Sequence, residues 1–180
     1  MNVYDFTVKA QDGSEVSLSD YRGKVLLIVN TATACGFTPQ YDDLQALYTE
    51  CQNDGLEILD FPCNQFGEQA KGTDEEIHSF CSGRFGITFP QFSKVEVNGE
   101  HAIPLYKWLT DNTDFNGFGM SPAGLMMSQI LKKIDSDYKN NGLVKWNFTK
   151  FLIDKEGNIA ARFEPTESMD KVKKAVKALL

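Results

Sequence analysis

The stretch Val25-Leu26-Leu27-Ile28-Val29 runs directly into Asn30-Thr31-Ala32-Thr33-Ala34-Cys35-Gly36-Phe37-Thr38-Pro39, and its reading decides the fold. An unbroken apolar run of this length suits a strand buried on both faces of a parallel sheet. Thr38 reads as the N-cap of a helix and Pro39 as its first residue, where a fixed φ helps and a missing N–H costs little. A thiol held just before such a helix meets the positive end of the macrodipole and unpaired N–H groups, which favours the reactive thiolate. Downstream, Tyr41, Leu44, Leu47, Tyr48 and Cys51 recur at helical spacing, and Gly55 suits a left-handed helix end. Leu56 to Phe61 then reads as a second strand, so strand, helix and strand predict a right-handed parallel crossover.

The remaining segments extend this α/β pattern. Tyr4 to Val8, a turn at Asp12-Gly13, and Val16 with Leu18 read as an N-terminal β-hairpin. Thr73-Asp74-Glu75-Glu76 is a capping box, opening a helix with Ile77, Phe80 and Cys81 along one side. Phe92 to Val97 reads as a strand and Pro104 opens a short helix through Trp108. Phe151-Leu152-Ile153 and Ile159 to Phe163 flank a turn at 155–158, and a last amphipathic helix carries Met169, Val172, Val176 and Leu179. The expected architecture is a single domain over 1–180, a central mixed sheet flanked by helices. A helical insertion at about 111–145 carries Met126, Met127, Ile130, Leu131 and Ile134, an apolar stripe that either packs on its own domain or forms a homo-oligomer interface.

A chain of 180 residues with net charge -7 and a pI near 4.8 has no basic stripe or tail, which argues against nucleic acid or an anionic membrane as partner. No apolar run is long enough to span a bilayer, so no stable membrane insertion is expected and the reading is cytoplasmic. Cys35, Cys51, Cys63 and Cys81 are spaced too widely for C-x-x-C chemistry, and His78 and His101 are too far apart to complete a metal set. Neither a metal nor another cofactor is expected.

In an open sheet, ligands bind beyond the carboxyl ends of the parallel strands. Cys35 follows the first such strand; the amide-rich loop Phe61-Pro62-Cys63-Asn64-Gln65-Phe66-Gly67-Glu68-Gln69 follows the second. Trp146-Asn147-Phe148 precedes the late hairpin. Indole and carboxamide N–H donors near a thiolate would stabilise its charge and that of an oxygen leaving a cleaved O–O bond. The three blocks N-T-A-T-A-C-G-F-T, F-P-C-N-Q-F-G-E-Q and W-N-F-T-K-F-L-I-D resemble the signature blocks of glutathione peroxidases, over about Tyr4 to Val176. The resemblance implies a thioredoxin-like fold and a peroxidase tetrad of Cys35, Gln69, Trp146 and Asn147. Family members carry selenocysteine or cysteine at the first position; cysteine stands here.

The implied reaction is attack of the Cys35 thiolate on a hydroperoxide, hydrogen peroxide or organic, leaving a sulfenic acid that condenses readily with a second thiol. Members that use thioredoxin carry a resolving cysteine on the helix after the second block, and Cys81 matches it, so thioredoxin is the expected reductant, with glutathione the alternative. Closure would require that helix to unwind or shift, because disulfide Cα atoms lie within roughly 7 Å. Cys51 and Cys63 read as packing, and Asn64 and Gln65 as loop supports. A peroxide sensor relaying oxidation to a partner protein shares this chemistry. A disulfide reductase would need cysteine where Thr38 stands, and a peroxiredoxin the proline and threonine missing from Asn30 to Ala34.

Overall fold

In the computed structural model, which describes residues 1–180, β3 (Val25–Thr31) is an interior strand of a four-stranded sheet ordered β4-β3-β5-β6. β4 (Leu56–Pro62) pairs parallel to it with Val25 opposite Leu56; β5 (Lys150–Ile153) pairs antiparallel on its other side, and β6 (Ile159–Phe163) antiparallel to β5. The N-terminal hairpin, β1 (Thr7–Lys9) and β2 (Glu15–Ser17), forms a separate two-stranded sheet with Gly13 at φ 84° in its turn.

Side chains alternate across the sheet, so its two faces build two cores. Val25, Leu27, Val29, Leu56 and Ile58 meet α1 (Gln40–Cys51), α2 (Asp74–Phe85) and α5 (Met169–Leu179). Leu26, Ile28, Leu59 and Phe61 meet α3 (Pro104–Asp111) and the N-terminal segment. Every residue of β3 and β4 is therefore buried, which explains the continuous apolar run. Cys35, Cys51 and Cys81 belong to the first core and Cys63 to the second.

Four local expectations differ from the structure. The hairpin is shorter than Tyr4 to Leu18: Val3–Asp5 is a turn of 3-10 helix, the first strand starts at Thr7, and Leu18 opens a second 3-10 turn after β2. Thr38 does not cap α1: helical geometry begins at Gln40, Pro39 occupies the cap position without a side-chain bond, and the Thr38 hydroxyl is used in the loop before it. Phe92 to Val97 forms no strand. Only Gln91 and Phe92 make bridges, to Asp60 and Ala10, and the amides of Val97 and Asn98 are taken by Gln65 Oε1 at 2.8 and 3.1 Å. Phe80 turns outward, 41% exposed, against Phe85, because Ile77 and Cys81 one turn apart take the inward face of α2.

The 111–145 segment contains α4 (Pro122–Ile134), capped by Ser121, whose Oγ accepts from Gly124 N at 3.1 Å. A Cβ on Gly124 would stand 2.3 Å from Phe118 O, so only glycine permits this approach. Met127 and Leu131 pack with Phe118 and Tyr138 of the same segment, whereas Leu125, Met126 and Ile134 face outward. No helix is long and apolar enough to cross a membrane.

Candidate active site

The segment after β3 is pinned from both sides. Cys35 N donates to Thr38 Oγ1 at 3.0 Å and that hydroxyl donates to Ala32 O at 2.8 Å, tying the loop before α1 into a compact turn. Phe37 N donates to Cys35 Sγ at 3.4 Å, a backbone dipole aimed at the sulfur. Thr33 N and Ala34 N donate to Gln69 O at 3.1 and 2.9 Å, joining the Cys35 loop to the loop after β4. Cys35 is 7% exposed, so its thiol is screened from bulk water.

Gln69 also joins the third segment. Asn147 Nδ2 donates to Gln69 Oε1 at 3.1 Å, which leaves the Gln69 Nε2 hydrogens uncommitted as donors. Asn147 is fully buried, and its own Oδ1 has no partner within the chain. Trp146 is partly buried beside Phe66, ring centroids 5.9 Å apart, and packs against the core that contains Cys35. A groove of about 320 Å³ opens beside it, lined by Phe66, Leu131, Ile134, Leu143, Val144 and Trp146, with Lys145 the cation in its wall. Burial, then the Arg162 charge, lowers the Lys145 ammonium to about 8.

Two residues next to these side chains take left-handed backbone: Glu68 at φ 52° before Gln69, and Phe148 at φ 65° after Asn147. For a bulky residue this costs on the order of 1–2 kcal/mol and persists only where the surroundings impose it. At Phe148 they do: its N donates to Asn30 O at 2.6 Å, its O accepts from Lys150 Nζ at 2.7 Å, and its buried ring meets Tyr41 edge-on at 5.4 Å. Asn30 Nδ2 donates to Trp146 O at 3.2 Å. Lys150, fully buried and also bonded to Gln40 Oε1, is pushed down to about 7 by burial.

Hydrogen bonds thus join the loop that carries Cys35 to Gln69, and Gln69 to Asn147, with Trp146 packed against the same core. Cys81 lies outside this set of bonds: it is fully buried inside α2, and burial, then the Asp60 charge, raise its thiol to about 11. Cys63 is raised to about 11 by burial on the other face of the sheet. Asn64 and Gln65 bond the backbone of Ala70, Val97 and Asn98, the loop-supporting roles expected of them. Sequence reasoning does not single out Lys150 or Asp60; the signal it offers is an ionisable residue at the head of the apolar run Lys150-Phe151-Leu152-Ile153 and two, Glu57 and Asp60, within Leu56 to Phe61.

A cysteine in a pinned loop between a parallel strand and a helix, on a mixed sheet with helices on both faces, defines a thioredoxin-like thiol protein. A thioredoxin family thiol:disulfide interchange protein from Chlorobium tepidum TLS shares this fold at TM-score 0.61 and 16% identity, covering 97% of this chain and 92% of that one. Residues 3–110 match the glutathione peroxidase family. The hydroperoxy fatty acid reductase gpx1 of Synechocystis is 46% identical over 178 residues, 99% of this chain and 95% of that protein. The crystal structure of T. cruzi GPX1 superposes with TM-score 0.72 at 32% identity, covering 99% and 96%. The chain belongs to the glutathione peroxidase family and is a peroxidase that uses hydroperoxides.

Proposed function

We propose that the whole chain acts as one thioredoxin-dependent peroxidase domain, with Cys35 as the peroxidatic thiol and Gln69, Trp146 and Asn147 as the groups that stabilise developing charge. The Cys35 thiolate attacks one oxygen of ROOH, the O–O bond breaks, and the departing alkoxide takes a proton to leave as alcohol or water. Cys35 becomes a sulfenic acid. The Cys81 thiol then displaces hydroxide from that sulfur, which leaves as water, and the dithiol of thioredoxin reduces the resulting disulfide. The observation that carries this reading is Gln69: its carbonyl accepts from Thr33 and Ala34 in the Cys35 loop while its side-chain oxygen accepts from Asn147, joining three segments distant in sequence around that loop. The apolar groove beside Trp146 suits the organic part of a hydroperoxide, in keeping with the fatty-acid substrate in the name of the Synechocystis relative. Cys63 is the poorer resolving candidate, since it belongs to the other core. Four unpaired buried cysteines fit a reducing cytoplasm.

Turnover with thioredoxin, its reductase and NADPH tests the assignment. Cys35→Ser is expected to abolish peroxide consumption, and retained turnover would falsify the central role. Cys81→Ser is expected to allow one oxidation to sulfenic acid and then stall; recycling that survives returns the resolving role to another thiol, with glutathione the first to add. The full burial of Cys81 favours one second reading, a peroxide sensor whose oxidised form persists long enough to meet a partner protein. Fast disulfide formation with negligible turnover on thioredoxin would select it.

A further inference from the structure

On the β4 face toward α1 and α2, Leu56 and Ile58 are followed by Asp60, a fully buried carboxyl where the pattern calls for an apolar residue. Its Oδ2 accepts from Tyr41 Oη and from Gln91 Nε2, both at 2.8 Å, and its Oδ1 accepts from the Thr31 hydroxyl. Gln91 Oε1 lies 3.1 Å from His78 Nδ1, and His78 Nε2 lies 3.4 Å from Ser82 Oγ, both on α2. Cys81, next to Ser82 on the same helix, is buried in the core that also holds Tyr41. One buried carboxylate therefore ties the helix that carries Cys81 to the sheet and to the helix that follows Cys35.

We propose that Asp60 is a positioning residue for the resolving step: its network with Gln91 and Tyr41 latches α2 on the sheet with Cys81 inside, and rupture of that network releases Cys81 toward oxidised Cys35. This rests on the reading of Cys81 as the resolving thiol. The titratable groups facing Asp60 are Tyr41 from α1, Cys81 and His78 from α2, and Tyr106 from α3 across the sheet. Burial raises the Asp60 carboxyl to about 6 against the three donors that oppose it. Lifting α2 returns it to water, where an aspartate ionises near 4. The closed state thus holds a proton that the open state loses, and rising pH favours opening. Between pH 5 and 7 the opening equilibrium grows by about tenfold and then levels.

Asp60→Asn separates this charge effect from mere packing. The amide keeps an oxygen for Tyr41 and Gln91 and offers an N–H that the Thr31 hydroxyl can accept by rotating, so the network survives while the titration is removed. Cys81 labelling by 4,4′-dithiodipyridine is followed in a Cys35→Ser chain with and without Asp60→Asn from pH 5 to 8, peptide mapping separating Cys81 from Cys51 and Cys63. Labelling takes place in the open state, where Cys81 is in water and away from Asp60, so dividing one rate by the other cancels the titration of Cys81 itself. The rate with Asp60 present, divided by the rate with the Asp60→Asn substitution, is expected to rise about tenfold from pH 5 to 7; a flat ratio overturns the latch. With Cys35 intact, single-turnover closure after stoichiometric peroxide is expected to follow the same ratio. Closure that ignores pH while labelling follows it overturns the role of Asp60 in resolution. A wild-type chain that forms no Cys35 to Cys81 disulfide overturns the reading of Cys81, and the labelling result stands apart from it.

Discussion

Gln69 and Asn147 do different work in the proposed peroxide step, although their side chains are bonded to each other. Gln69 is partly exposed and presents its free Nε2, whereas fully buried Asn147 orients that amide by donating to its oxygen at 3.1 Å. Gln69→Ala removes the donor, and Asn147→Ala leaves the donor free to turn. Each is expected to slow Cys35 oxidation by about 10²–10³, the loss seen when one preorganised donor to a developing oxyanion is removed. Stopped-flow detection of Cys35 oxidation by its second-order rate reads this directly, and a change under about threefold in both variants removes the charge-stabilising role. Reduction of a preformed disulfide by thioredoxin is expected to stay unchanged.

α2 is held at its start by a reciprocal capping box, Thr73 Oγ1 accepting from Glu76 N at 3.2 Å and Glu76 Oε2 from Thr73 N at 2.8 Å. Gly86, at φ 61°, closes its other end. Between these caps only Ile77 and Cys81 are buried, so little apolar area anchors the helix. Thr73→Ala should cost about 1 kcal/mol, which multiplies transient opening by about five. Closure of the Cys35 to Cys81 disulfide is then expected to quicken by about that factor, while the rate of Cys35 oxidation does not move. Hydrogen exchange of the 77–85 amides should rise in parallel. If closure keeps its wild-type rate while exchange accelerates, opening of α2 does not limit resolution.

Across the whole molecule, two buried ionisable groups shape how stability varies with pH, in opposite directions. Lys150 is pushed down to about 7, so above that pH the unfolded chain carries the extra proton and stability rises with pH until the ordinary lysine range near 10. Asp60, raised to about 6, holds its proton in the folded chain between about 4 and 6, and stability falls as pH climbs through that window. Their combined contribution is lowest near neutrality. Urea midpoints from pH 5 to 9 should show the rise above 7, at most about 1.4 kcal/mol per pH unit for one proton. Lys150→Met is expected to remove the part of the rise that begins at 7, leaving the part that Lys145 adds from about 8, and to lower stability by about 1–3 kcal/mol, because Phe148 O and Gln40 Oε1 lose their partner. A variant curve parallel to the wild type would show that the buried ammonium is not the linked group.

The sequence by itself determined the strand, loop and helix around Cys35, the parallel crossover, the capping box at Thr73 and the two strands after Asn147, because periodicity and caps are set by residues close together in the chain. Gln69, Trp146 and Asn147 were legible as candidates, through two blocks that are each continuous in sequence, and the fold bonds Asn147 to Gln69. Tertiary structure alone decided that Thr38 bonds Ala32 and Cys35 instead of capping α1, that Gln65 claims the amides expected to pair as a strand, and that Phe80 turns outward. It also decided the states of Asp60 and Lys150. In sequence Lys150 is an ionisable residue opening an apolar run, and Asp60 is one of two acidic residues, with Glu57, inside another. The cost of each charge is set by desolvation and by which hydrogen-bond partners reach it, donors for Asp60 and acceptors for Lys150, and those partners come from segments up to 110 residues away.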